Sequence, residues 1–338
     1  MLTWLSNFWH QNLWLQNLSI LVLCAGVVLF IRSILLSERS QRATRRFLRD
    51  KVGVISGIIV LFYLFVGVLD CLQVAPGKTC LDAIFRSITT EHSYSAPFAT
   101  TTYDPRKPEP LNGFHLLGTD LLGKDVLLQT LKGCRTALLI GGLTTLIYIP
   151  VGTLLGIMAG YYRRWVDDLI QYVYSTLASI PSILLLIAII ITLGRGIGTM
   201  ALALSIAAWI GLCRLVRGET LRQATRPYVE AARALGQSNF RIITRHILPN
   251  VMHLVIINAV LGFSGLVMVE AILSYLGVGV PVGTASWGAM IDGARLELSR
   301  DPAVWWTVCS ASGALFILVL SLNLLGDALR RAFDPKAA

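Results

Sequence analysis

Seven continuous apolar runs organise this sequence, at about 18–36, 53–69, 136–158, 168–193, 200–216, 251–276 and 304–325. Each is close to or longer than the roughly 20 residues an α-helix needs to cross the hydrocarbon of a bilayer. In lipid the backbone must satisfy its own hydrogen bonds, which leaves helices or closed barrels. Barrel strands read as ~10-residue segments of alternating polarity, and these runs do not alternate. The chain is therefore expected to be an all-α polytopic membrane protein. Only 14% of its residues are charged and 55% are hydrophobic, with a mean hydropathy of +0.67, which excludes a disordered chain and argues against a soluble enzyme.

The net charge of +10 would suggest nucleic acid in a soluble protein. Here it reports orientation, because Lys and Arg collect on the cytoplasmic side. With 37–52, 159–167, 217–250, 326–338 and Arg214 placed in the cytoplasm, the whole excess falls there and the opposite side is neutral. This orientation puts the N-terminus outside and the C-terminus in the cytoplasm. Residues 1–17 hold four aromatics (Trp4, Phe8, Trp9, Trp14) and no Lys or Arg, so they read as an interfacial stretch and not as a cleavable signal. Leu18–Leu36 is long enough to span, and the alternative is that 1–36 lies along the surface. The loop 70–133 is rich in Pro, Thr, Tyr and Gly and is expected to pack as an irregular cap on the outer side. A second outer stretch, 278–304, carries Trp287–Met290 and Arg295 and is expected to form a short surface helix dipping towards the membrane.

The most informative motif runs from Tyr228 to Asn250 and lies in the cytoplasmic loop 217–250. Pro227 suits the first turn of a helix, and Glu230 complements the positive end of its dipole. Gly236 suits the left-handed position that ends it. In the next helix Phe240, Ile243 and Ile247 fall on one face and Arg241 and Arg245 on another, and Pro249 should end it before the following span. Two amphipathic helices around an elbow fit a groove on a soluble partner; lying on anionic lipid is the alternative.

Glu230-Ala231-Ala232, Gly236 four residues later, and Leu248-Pro249 after thirteen more residues resemble the loop of ABC importer permeases that sits on the ATPase subunit. His115-Leu-Leu-Gly118-Thr119-Asp120-Leu-Leu-Gly123-Lys124-Asp125-Val126 with Gly133-Cys-Arg135, then Ser286-Trp287-Gly288-Ala289-Met290, then Asn323–Arg330 with Asp334-Pro335-Lys336, resemble the dipeptide/oligopeptide branch of that family, in its C-type member. The resemblance covers about 45–338. It implies the type I importer permease fold, a six-span plan, here with one extra N-terminal span at 18–36. The organisation expected from it is an extra span and basic linker (1–52), a first family span and outer loop (53–135), a five-span core (136–329) and a cytoplasmic tail (330–338).

The resemblance also implies partners and a mechanism. A homologous second permease, two ATPase subunits or domains that bind ATP and Mg, and an outer solute-binding protein would complete the importer in the bacterial inner membrane, with no nucleic acid involved. Glu230, Ala231, Ala232, Gly236, Phe240, Arg241, Arg245, Leu248 and Pro249 would couple ATP-driven closure to alternating access for peptides or related small solutes. Two positions depart from the usual pattern: His246 stands where an aliphatic residue is usual, and Lys124 replaces the more usual Arg.

Gly118–Lys124 fits the first seven positions of a phosphate-binding loop, but Asp125 stands where the Mg²⁺-binding Ser or Thr should be and Asp120 adds an anion inside it. No ATPase site is expected in this chain, and no covalent chemistry. Glu270 is the acidic residue well inside a span, hence a translocation-path candidate; the other readings are a polar packing group or a neutral acid. As a proton carrier it would instead make the protein a proton-coupled secondary transporter. Cys71 and Cys80 flank the turn Pro76-Gly77 on the outer side, where a disulfide between them or two thiols are both compatible with the spacing. The histidines are scattered, and neither they nor the cysteines show metal-ligand spacing.

Overall fold

The computed structural model describes residues 17–18, 44–85, 90–103, 109–281, 283–300 and 303–333. In chain order these form α1 (Lys51–Cys71), a short hairpin β1 (Gln73–Ala75) and β2 (Lys78–Thr79), α2 (Cys80–Ile84), α3 (Val126–Tyr162), α4 (Arg164–Ala178), α5 (Ser182–Leu193) and α6 (Ile197–Gln223). They continue as α7 (Pro227–Ala234), α8 (Asn239–Ile242), a π-helical turn (Ile243–Ile247), α9 (Leu248–Tyr275), α10 (Trp287–Ala294), a 3₁₀ turn (Arg295–Ser299) and α11 (Trp306–Phe333).

Among the described residues, α1, α3, α6, the continuous run Asn239–Tyr275 and α11 are long and apolar enough to cross a membrane. The expected extra span at 18–36 lies, beyond Leu18, outside the described residues. The expected span at 168–193 is broken: α4 and α5 meet at 84°. Pro181 sits at the break, and the Ser179 N–H closes α4 by donating back to the Ser175 carbonyl at 3.0 Å. Proline has no N–H to carry the ladder onward. The 12 residues of α5 rise only about 18 Å, short of the ~30 Å of hydrocarbon.

The chain divides into two compact units, 1–138 with 270–338, and 139–269. In the first, α1 packs on α11. Asp50 caps α1, its Oδ1 accepting from the Val52 and Gly53 N–H groups, while Oδ2 takes Arg331 at 2.6 Å. A Cβ on Gly53 would stand 2.7 Å from the Ala328 Cβ, so glycine sets how closely the helices approach. Near the middle of α1, the Tyr63 hydroxyl donates to the Ala314 carbonyl at 2.9 Å. The opposite face of α1 presents Ile55, Ile58, Leu61, Phe62 and Phe65, each more than half exposed, as a lipid-facing surface should.

The short helix expected at Trp287 forms as α10. Trp287 is fully buried and its Nε1–H donates to the Thr130 carbonyl at 2.9 Å. Its indole fills the space a side chain on Gly133 would need, so packing inside the chain overrides the expected surface role.

The second unit is built on a seam without side chains. Gly152, Gly156 and Gly160 of α3 repeat every four residues and lie against α6, where added Cβ atoms would stand 2.7–3.0 Å from Trp209, Cys213, Val216 and Thr220 atoms. Small residues at this spacing let helix backbones meet closely in lipid. Alongside, the Thr144 hydroxyl donates to the Ala201 carbonyl, and Arg217 grips Asp167 bidentately at 2.6 and 2.7 Å.

Candidate functional site

The motif Tyr228–Asn250 folds as an elbow. Pro227 occupies the first position of α7, and Glu230 lies in its first turn. Gly236, at φ +74°, ends the helix. Its N–H donates to the Arg233 carbonyl at 3.0 Å and the Gln237 N–H to the Ala232 carbonyl at 3.1 Å, the paired bonds of a Schellman cap. Ser238 then caps α8 through the Arg241 N–H. Val229 and Ala232 face inward, whereas Glu230, Ala231, Gly236, Arg241 and Arg245 are exposed.

The second half of the elbow differs from the expected face. Ile242 and Ile247 are fully buried, while Phe240 is 77% exposed. The cause is the π turn, whose Leu248 N–H donates to the Ile243 carbonyl five residues back. A widened turn brings residues five apart onto one side, so Ile242 and Ile247 align and Phe240 turns outward; Leu235 is likewise 80% exposed. Pro249 does not end the helix either. It lies in the first turn of α9, straight after the re-registered ladder, where its missing N–H interrupts no further turn.

Side chains that the motif reading passed over hold the elbow shut. The Tyr228 hydroxyl donates to Gln223 at 2.6 Å, and the Asn250 amide donates to the Tyr228 oxygen at 3.2 Å and to the His246 carbonyl at 2.6 Å. His246 Nε2 lies 3.3 Å from Gln237 Oε1, so its departure from the usual pattern has a polar partner. Tyr161 of α3 donates to Asn239 at 2.8 Å and carries the Arg233 guanidinium 5.7 Å over its ring. The elbow is thus a rigid platform with two bare apolar side chains and an arginine rim.

The outer motif 115–126 is built the other way, from the inside. His115 is fully buried, with Nδ1 2.8 Å from Asp125 Oδ2 and Nε2 3.3 Å from Glu91 Oε1. Glu91 also accepts from the backbone N–H groups of Asn112 and Gly113, and Asp125 caps α3 through the Leu128 N–H at 2.8 Å. Burial alone would raise the Glu91 carboxyl, but the His115 contact and these two N–H groups outweigh it and hold it below the usual range. The Thr119 hydroxyl donates to the Ser93 carbonyl, and the Trp306 Nε1–H reaches the Thr119 carbonyl at 2.9 Å. The phosphate-loop resemblance has a local explanation: Asp120 Oδ1 takes the Leu122 and Lys124 N–H groups at 2.9 and 2.8 Å, so the loop cradles its own carboxylate.

Glu270 is 1% exposed and packed within the first unit. The Ser274 hydroxyl donates to it at 2.8 Å, and Ser286, which caps α10 through the Ala289 N–H, is its second hydrogen-bond partner. Cys71 and Cys80 are not joined. The hairpin register places Cys80 opposite Leu72, to whose carbonyl its N–H donates at 2.8 Å, and so sets it out of step with Cys71.

Residues 152–338 match the family described as binding-protein-dependent transport system inner membrane component. The glutathione transport system permease protein GsiD of Pectobacterium atrosepticum is 34% identical over 294 residues, 86% of this chain and 89% of that protein. The chain belongs to this permease family. Among other relatives, the dipeptide transport system permease protein DppC of Bacillus subtilis is 31% identical over 88% of this chain and 86% of its own length. The oligopeptide transport system permease protein OppC of Haemophilus influenzae is 33% identical, covering 88% of each. A solved inward-facing MetNI methionine ABC transporter is 20% identical, with a TM-score of 0.47 over 62% of this chain and 96% of that one. The permease is therefore the membrane-spanning subunit of an ABC transport system with the type I importer fold, and the ATPase is a separate partner. Family membership decides against the proton-coupled class weighed from sequence.

Proposed function

We propose that this permease forms half of an importer for peptides or related small solutes in the bacterial inner membrane, paired with a homologous second permease. Its elbow, Glu230–Pro249, docks on one of two ATPase subunits, which hold ATP and Mg²⁺, and an outer solute-binding protein delivers the cargo. The observation that carries the docking reading is the pair Leu235 and Phe240, 80% and 77% exposed on a stapled platform with Arg241 and Arg245 beside them. Bare apolar side chains ringed by polar ones mark protein-contact surfaces. The peptide reading draws on the relatives, which are named for dipeptide, oligopeptide and glutathione transport.

The orientation with the N-terminus outside is supported by Asn17. Its side-chain amide donates to the Gln73 carbonyl at 2.8 Å and accepts the Gln73 N–H at 2.9 Å, beyond the end of α1 remote from Asp50. The test is uptake of labelled peptide into cells or vesicles with ATP present and the proton gradient collapsed by an uncoupler, together with co-purification of the ATPases. Uptake that survives the uncoupler and a stable complex are expected. Uptake that dies with the gradient while ATP stays high would overturn the reading.

A further inference from the structure

Among the described residues, Phe98, Arg163 and Arg164 have positive φ without being glycine, and the two arginines are adjacent. They make the junction between α3, which ends at Tyr162, and α4, which begins at Arg164. Arg163 has φ 56° and ψ −162°, a region of backbone space that belongs almost wholly to glycine. Arg164 follows at φ 50°. In left-handed backbone the Cβ crowds the following carbonyl, so both residues are held against a cost. Such conformations persist where their surroundings over-determine them, and here both sides are pinned. Two residues before the junction, buried Tyr161 donates to Asn239 of the elbow at 2.8 Å and carries Arg233 over its ring. Three residues after it, Asp167 takes Arg217 of α6 at 2.6 and 2.7 Å, and Tyr174 carries Arg214 4.7 Å over its ring. The backbone ladders of both helices close on Arg163, whose N–H donates to Ala159 and whose carbonyl accepts from Asp167. Helix α4 is therefore a separate rod, with the strained junction at one end and the 84° break before α5 at the other.

We propose that Arg163–Arg164 is a sprung joint through which movement of the elbow turns α4: the elbow shifts Tyr161, α4 rotates about the joint, and both residues relax to ordinary backbone angles. This role rests on the docking reading above and names the residues of this chain that carry the elbow's movement to a helix of the broken span. A cost present in one conformation and released in the other biases the balance between them. Because a side chain at positive φ is confined to a small region, the joint is also stiff enough to pass movement on.

Glycine removes both the cost and the confinement, whereas alanine keeps both and removes only the guanidinium. The test uses the assembled transporter, this chain with its partner permease, ATPases and solute-binding protein, in proteoliposomes. ATP hydrolysis is measured together with uptake of whichever member of a dipeptide and oligopeptide panel the wild type carries fastest. The pair Arg163→Gly and Arg164→Gly should assemble and keep its ATPases, but uptake per ATP hydrolysed should fall at least about tenfold, because the glycine joint yields in place of turning α4. The pair Arg163→Ala and Arg164→Ala should stay within about twofold of wild type, as exposed substitutions do. Where the glycine pair does not assemble, Arg163→Gly alone is read in the same way. A glycine variant that keeps uptake per ATP within about twofold of wild type overturns the joint. So does an alanine pair that loses as much as glycine, which would place the effect in the guanidinium groups, or a glycine pair that assembles without its ATPases, which would place it in docking. A wild type that carries no member of the panel, or does not hold the ATPases, overturns the transport and docking reading itself and the joint with it.

Discussion

At the elbow Leu235 and Phe240 are exposed, while the polar side chains of Gln223, Tyr228, His246 and Asn250 are spent on holding the backbone. At the outer turn the order is reversed. His115, Glu91 and Asp125 are buried against one another, and the backbone of 112–128 is hung from them. Both segments carry motifs of the same family, so a motif by itself does not say whether its residues meet a partner or hold the fold. Exposure separates the two. An apolar side chain left bare on a polar scaffold needs a partner; a charged cluster taken out of water needs its neighbours.

The two glycines that shape these segments break the comparison most sharply. Gly123 and Gly236 both have positive φ, but a Cβ on Gly123 would overlap the Glu91 carbonyl, while nothing lies within 4 Å of one on Gly236. Gly123→Ala should therefore give little or no folded permease, read as membrane-inserted protein surviving detergent extraction. Gly236→Glu should leave that amount near normal, because the left-handed conformation alone costs about 1–2 kcal/mol. It should cut ATP-dependent uptake and ATPase co-purification by at least about tenfold, roughly 1.4 kcal/mol of docking. Near-normal uptake would remove the elbow from the coupling role.

Acid should act on one segment and spare the other. The folded Glu91 carboxyl lies below its ordinary 4.5. A depressed carboxyl contributes stability that is present above the ordinary value and lost as the pH falls through the folded one. Amide exchange, corrected for intrinsic rate, should show protection at Asn112 and Gly113 falling below about pH 4.5. Protection at Gly236 and Gln237, which rests on backbone carbonyls, should fall less over the same range. Equal loss at both sites would contradict the clasp. The smallest effect is expected at Glu270→Gln. The amide keeps the shape and can still accept from Ser274, so uptake should stay within a few-fold of wild type. Transport abolished by Gln would give Glu270 a role in the path that its packing does not suggest.

Much of the fold was readable because lipid enforces long apolar helices, and each described long span coincides with an apolar run. The bend at Pro181 was readable in principle, since Ser179-Ile-Pro181 interrupts an otherwise uniform run, but hydropathy averages across it. The seam of Gly152, Gly156 and Gly160 is also visible in the sequence, as small residues four apart, but only the structure shows that they face α6. The elbow's capping was legible from Pro227, Glu230 and Gly236. Its outward residues were not, because an α-helical period assigns faces wrongly across a π turn. The clasp was invisible for a different reason: Glu91 and His115 are 24 residues apart, and only the folded loop makes them neighbours. The Cys71–Cys80 pairing rested on spacing around a turn, and register overruled it.

The contacts that close the first unit have a consequence for how the chain is made. Thr119 waits for Trp306, Tyr63 for Ala314 and Asp50 for Arg331, partners 187, 251 and 281 residues downstream. During synthesis α1 and the turn 112–128 leave the ribosome well before α11. Every contact within 139–269, by contrast, joins residues translated before α10. Helix α1 therefore stays open, with Gly53 and Tyr63 uncovered, until α11 arrives. A chain that stops before Trp306 loses these closing contacts.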